Sequence, residues 1–472
     1  MQLFSPTACA TTRWLGTLAL TAALSLGCAA VPARGSATLR AEGPASALPE
    51  SASLESLARL AISEDRVVAE ESIARLRTRG QAGLDALFAA HRDAIRRLLA
   101  PSGPSEDPEA LRVRTALEQV ARQRDAQAAR LYWHTDLEEA KRAAKAENKP
   151  ILSLRLLGNL DEELSCANSR FFRTALYPNA KVGEELRSRF VLHWKSERPA
   201  PRVTIDFGDG RKLERTVTGN SVHYILDAQG RVVDALPGMY GPDAFLRGLR
   251  AARGAFEATA TLDDDARREA LRAYHASSRD ALAAEWATLI GVPFAPPPGP
   301  RTSPSAAPPA EEAIPVAVAK GAVEAPIVAA IGGDVVPLPS PAQPVAWAQL
   351  LERQAVKLDE PSRAFMRSKI AADVDLEGRS MRTLDDEGFA RRVASFERWI
   401  TEDTVRNEHA MHRVLHDWLA MTPPVEEMEA FNARVYASLF LTPRSDPWLG
   451  LLVKDGYSGI RRDGVEIAAP AR

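Results

Sequence analysis

The sequence predicts an α/β central domain that carries an extra β-hairpin and is flanked on both sides by α-helical regions. Three observations lead there. Between 131 and 255, helix-period and strand-period segments alternate; over 54–130 and 256–292, apolar residues recur at helical spacing; and a Pro/Ala/Val-rich stretch over 293–345 sets off a last helical region, 346–472. With 472 residues, 45% of them hydrophobic, the chain can build more than one core. Its formal net charge of -2, without blocks of like charge, gives no electrostatic reason for a nucleic-acid partner, and none is expected.

The first segment, 1–27, reads as a signal peptide. Arg13 precedes the apolar run Trp14–Leu24, which is too short to span a membrane stably. The run closes with Ser25-Leu26-Gly27-Cys28, which resembles the lipobox of bacterial lipoproteins, where the cysteine is diacylated and becomes the first mature residue. Ser25 departs from the branched aliphatic residue usual there, and ordinary cleavage after Ala30 or Ala33 is the other reading. Both predict export, to the periplasm or outer membrane; in the first, Cys28 is the lipid anchor, and Ala29 in place of Asp favours the outer membrane. The Ala/Pro/Ser/Gly-rich stretch over 28–53 reads as a tether.

From Leu54 to Leu99 the apolar positions Leu57, Leu60, Val68, Ile73 and Leu76, then Leu84, Leu87, Ile95 and Leu98, predict a helical hairpin broken at Gly80 and Gly83. Pro101–Pro108 is a break, and Ala110–Leu131 is a further helix with Val113, Leu117 and Val120 on one face.

In the central domain, Asp136–Lys145 is rich in helix formers, with Thr135 or Asp136 as its cap and Asn148-Lys149-Pro150 as its stop. Ile151–Leu157 is nearly continuously apolar, the pattern of a central strand covered on both faces. Gly158 opens a loop to Ser165-Cys166-Ala167-Asn168-Ser169 and a helix carrying Phe171 and Phe172. A helix from Pro178 to Arg189 leads to a strand at Phe190–Trp194. Further strands at Val203–Phe207, Lys212–Val217, His223–Leu226 and Arg231–Val233 pair through the Gly208-Asp209-Gly210 and Ala228-Gln229-Gly230 turns. His193 and His223 read as core or edge residues rather than bases.

These residues resemble the thioredoxin-like superfamily, particularly exported members. The match is carried by Trp133, Asp136, Ala140, Ala144, Lys149 and Pro150, by Cys166-Ala167-Asn168-Ser169 in place of Cys-x-x-Cys, by Phe190-Val191 and Tyr224–Val233, and by Gly238–Leu246 before the last helix. It covers about a quarter of the chain. The resemblance implies that Cys166 is the catalytic nucleophile. A cysteine at a helix start faces unpaired N–H groups at the positive end of the dipole, which favours the thiolate, and Ser169 lies one turn on as its hydrogen-bond partner. The chain departs from the family in three ways: Ser169 replaces the second cysteine, Ser221 stands where the family has its cis-proline, and the Val203–Val217 hairpin replaces a helix. Two readings stay open. One is monothiol exchange with envelope proteins that expose thiols or disulfides, a thiol–disulfide oxidoreductase-like activity with an incomplete site. The other is a redox-inactive thioredoxin-fold scaffold that binds partners, with Cys166 as a small buried residue.

Beyond Leu262–Leu289, a helix, and the linker, the segment Thr404–Leu419 is helical with Met411, Val414, Leu415 and Trp418 as the buried stripe. His409, His412 and His416 fall opposite that stripe, which predicts a solvated polar face. Their spacing also suits zinc, copper or nickel, a lesser reading because no cysteine or acidic cluster lies nearby in sequence. The aromatic segment Pro447–Tyr457 is expected to pack rather than recognise a ligand. No cofactor motif is present.

Overall fold

A computed structural model describes residues 48–100, 107–216, 219–290, 344–371, 385–421 and 428–449. The signal peptide, Cys28, the tether up to 47, the linker up to 343 and the tail from 450 lie outside the described residues. Among the described residues, no helix is long and apolar enough to cross a membrane.

The N-terminal helices Leu54–Leu60, Arg66–Arg77, Gln81–Ala90, Arg92–Leu98 and Pro108–Ala121 close around Leu57, Leu76, Leu84, Val113 and Leu117. Ser53, Asp65 and Asp107 cap three of them through their side-chain oxygens. Gly80 breaks the chain as expected, with φ at 61°. Gly83 does not: it lies inside helix Gln81–Ala90, where an added Cβ would stand 2.0 Å from the Leu76 carbonyl oxygen, so its role is close helix approach. The helix expected over Ala110–Leu131 stops at Ala121. Arg122 turns left-handed there, Gln123 turns in to accept from the Trp133 indole N–H at 2.8 Å, and buried Asp125 pairs with buried Arg173 at 2.9 Å. A short helix, Ala126–Ala129, follows.

The centre is a mixed α/β arrangement around a four-stranded sheet. Strand β1 is Ile151–Leu157, β2 is Val191–Arg198, β5 is Ser221–Leu226 and β6 is Val232–Pro237, in the order β2-β1-β5-β6. β1 runs parallel to β2 and antiparallel to β5, and β5 is antiparallel to β6. All seven β1 residues are buried, the central position that their apolar run predicts. Helix Leu137–Glu147, capped by Asp136, leads into β1; helix Ala180–Arg189 leads into β2; helix Pro242–Thr259 follows β6. The extra hairpin is a separate two-stranded sheet, β3 (Arg202–Asp206) with β4 (Lys212–Thr216), mostly exposed.

The sequence predicts a separate domain over 346–472. In the structure its apolar side chains Ile400, Leu415, Phe431, Tyr436 and Phe440 enter the same core as the sheet residues. Two polar contacts explain the attachment: the Tyr224 hydroxyl on β5 donates to Asn432 at 3.1 Å in the interior, and buried Arg155 on β1 reaches half-exposed Glu429 at 2.8 Å. Ser153 and Arg155 interrupt the apolar run of β1 on one face, and that face is the one the C-terminal helices cover.

Candidate functional site

Cys166 is the N-cap residue of helix Ala167–Phe171, placed by the loop that Gly158 opens. Its backbone N–H donates to the Leu157 carbonyl at 3.2 Å, anchoring the helix start to the end of β1. The side chain is fully buried, at 0% exposure, within the sheet's apolar core. Ser169, one turn on, is also fully buried; its hydroxyl donates to the Cys166 carbonyl at 3.1 Å and bonds to Ser165. Asn168 donates to Ser221 at 2.8 Å, which ties this helix to the start of β5.

The structure therefore brings Cys166, Ser169 and Ser221 into one region but does not make the thiol acidic. Burial raises the Cys166 thiol above its ordinary value, and this outweighs the Ser169 N–H and hydroxyl, which oppose it. The expected thiolate is corrected on that ground: a helix-end dipole contributes modestly, whereas removing an ionised sulfur from water costs more.

The histidines also depart from expectation. His409, His412 and His416 are buried, at 0%, 7% and 2% exposure, rather than solvated. Helix Asp386–Arg406 continues through a π-helical stretch, Asn407–His412, into helix Arg413–Met421. The stretch packs between β6 and helix Asp264–Ile290, so the face opposite Leu415 and Trp418 is covered as well. His409 lies apart, beside Trp286, with its Nε2 3.8 Å from Glu285.

His412 and His416 converge on Asp234, a fully buried residue of edge strand β6. Ile225 pairs with Asp234 but Leu226 pairs with Val232, so Val233 is the extra residue of a bulge beside it. His412 Nε2 stands 3.1 Å from Asp234 Oδ1, and His416 Nδ1 stands 3.9 Å from the same oxygen. His275, from helix Asp264–Ile290, places its Nδ1 2.9 Å from His416 Nδ1, so one of these two nitrogens carries the shared proton. The Tyr274 hydroxyl donates to Asp234 Oδ2 at 2.6 Å, and the Ala235 N–H donates to Oδ1 at 2.7 Å. Burial alone would raise Asp234; the facing His412 and His416 outweigh it and hold the carboxyl well below the usual carboxylate range. Burial lowers His275 to about 4, against the attraction of Asp234, and lowers His416 well below its ordinary value.

His193 and His223 are core residues, as the sequence predicts. His193 Nδ1 lies 2.8 Å from the Ser153 hydroxyl and His223 Nε2 lies 2.8 Å from the Tyr177 hydroxyl. Burial lowers both rings to about 3.

Asp234, Tyr274 and His275 escape a reading by sequence spacing because Asp234 and His412 are 178 positions apart. Two signals mark them all the same. Asp234 is the only acid inside the apolar run Val232–Leu236, and His275 follows buried Leu271 by one helical turn. Compared with known family models, curated proteins and solved structures, the chain shows no match.

Proposed function

We propose that this protein is a thioredoxin-like scaffold of the bacterial envelope that acts by binding other proteins and not by thiol–disulfide exchange. The carrying observation is the 0% exposure of Cys166. Exchange needs in-line attack by a thiolate on an accessible disulfide, and a fully buried sulfur whose thiol form is favoured meets neither condition. Ser169 and the Asn168–Ser221 bond are spent on holding this helix in place. The thioredoxin-like reading is supported by chain order. Strand β1, a cysteine-capped helix, the parallel strand β2, the β5–β6 hairpin and a last helix follow one another as the resemblance implies. In this proposal the chain is exported and tethered through Cys28, and its partners are envelope proteins.

Thiol labelling of the full chain lacking Cys9 and Cys28 tests this. Native Cys166 is expected to react with a disulfide reagent at least ~1,000-fold more slowly than after unfolding, the protection given by an opening free energy of about 4 kcal/mol. Labelling at the rate of a free cysteine, or Cys166-dependent mixed disulfides trapped from cells, restores the exchange reading.

A further inference from the structure

Two imidazoles and one carboxylate meet in the interior, with a third imidazole, His275, hydrogen-bonded to His416. The donor atoms of Asp234, His412 and His416 all lie within 4.8 Å of one another. An ion with ligand bonds of about 2.1 Å in tetrahedral array holds neighbouring donors about 3.4 Å apart. The separations from the carboxylate bracket that edge: 3.1 Å from Asp234 to His412 and 3.9 Å from Asp234 to His416. The geometry points to a divalent transition-metal site in which Asp234, His412 and His416 hold one ion of the zinc class and leave its fourth position to water.

Nitrogen-rich donors select zinc, nickel or copper over calcium and magnesium, and the cluster contains no sulfur. The outer contacts are those of a ligand set held in place. Tyr274 and the Ala235 N–H fix both carboxylate oxygens of Asp234, leaving Oδ1 facing the imidazoles. The His412-to-His416 spacing places both rings on one side of the helix, their centroids 4.0 Å apart. The β6 bulge and the π-helical turn are local distortions on either side of the site, and both are devices that re-aim side chains. Binding here would bridge the sheet edge and the C-terminal helices by one ion, with His416 giving up its hydrogen bond to His275 for a coordinate bond.

The experiment uses the full chain without an affinity tag, freed of metal and dialysed against Zn2+. About one ion per chain is expected, and Asp234→Asn and His416→Gln are each expected to weaken binding by ~100-fold or more, as loss of a primary ligand does at such sites. Cys166→Ala is expected to bind as the wild type does. Should the ligand variants not fold, Co2+ added to the wild type decides the matter. Tetrahedral d–d bands without a thiolate charge-transfer band support the site. Wild-type protein that retains under ~0.1 ion per chain, or ligand variants that bind like wild type, overturns it and leaves the cluster as an internal hydrogen-bond network.

Discussion

Replacing Arg155 by Met removes the charged centre of the contact between the sheet and the C-terminal helices. The Arg155 side chain is 0% exposed and reaches Glu197 Oε1 at 3.1 Å, Glu429 Oε1 at 2.8 Å and the Met428 sulfur at 2.9 Å. Glu429 is 45% exposed and keeps Lys195 at 3.0 Å, so its share is at most about 1 kcal/mol. Glu197 is the costly partner: its side chain is 4% exposed, and without Arg155 it retains only Arg444, 61% exposed, at 2.7 Å. Breaking a buried pair from one side costs about 3–5 kcal/mol, and the surviving Arg444 contact puts Arg155→Met near 3 kcal/mol. Urea unfolding followed by tryptophan fluorescence measures this. Adding Glu197→Gln removes the stranded charge and is expected to bring the protein back within about 1 kcal/mol of wild type. A single variant within about 1 kcal/mol of wild type, or a double variant no more stable than the single, refutes the reasoning.

Acid provides a second test. Burial lowers His193 and His223 to about 3, below an unfolded value near 6.5, so the unfolded chain takes up protons first as pH falls. Their contribution is fully present above about pH 6.5 and is lost as pH falls towards 3. At pH 5 each of these two rings has given up about 2 kcal/mol and the buried His275 and His416 add to that, so urea unfolding should show a loss of at least about 4 kcal/mol relative to pH 7.5; a flat profile contradicts their burial. Gly83→Ala forces a Cβ to within 2.0 Å of the Leu76 oxygen and should lower stability by about 2 kcal/mol or more, read as a drop in melting temperature; a neutral result means the helices part freely. Gly238→Ala combines a φ of 82° with a Cβ 2.7 Å from the Asn407 amide and should cost about 2 kcal/mol while releasing the Asn407 bond to Met239; stability equal to wild type contradicts the tight approach of β6 to the C-terminal helices.

The elements were legible wherever one physical pattern dominates. The run Ile151–Leu157 reads as a central strand because a strand covered on both faces must be apolar throughout, and Asp136 reads as a cap because its oxygen satisfies the Glu139 N–H. The bounds of the hairpin strands and the helix at Ala180 lie within a few residues of their expected places. The pattern fails where tertiary partners decide. The helix ends at Ala121 because Gln123 and Asp125 turn in as buried acceptors for Trp133 and Arg173. The His409–His416 segment is polar on one side yet buried there, because a second helix and a sheet edge bring their own polar groups to meet it.

Sequence by itself determined the order of strands and helices, the singular position of Cys166 at a helix start, and the fact that Ser169 cannot close a disulfide with it. Those follow from local periodicity, capping and chemistry, all expressed within a few residues. Only the tertiary structure decided that the thiol is buried and raised, since burial depends on how the whole core closes around it. It likewise decided that His412 and His416 face Asp234 and His275, because hydrogen-bond and coordination distances depend on contacts across more than a hundred residues, which no local pattern encodes.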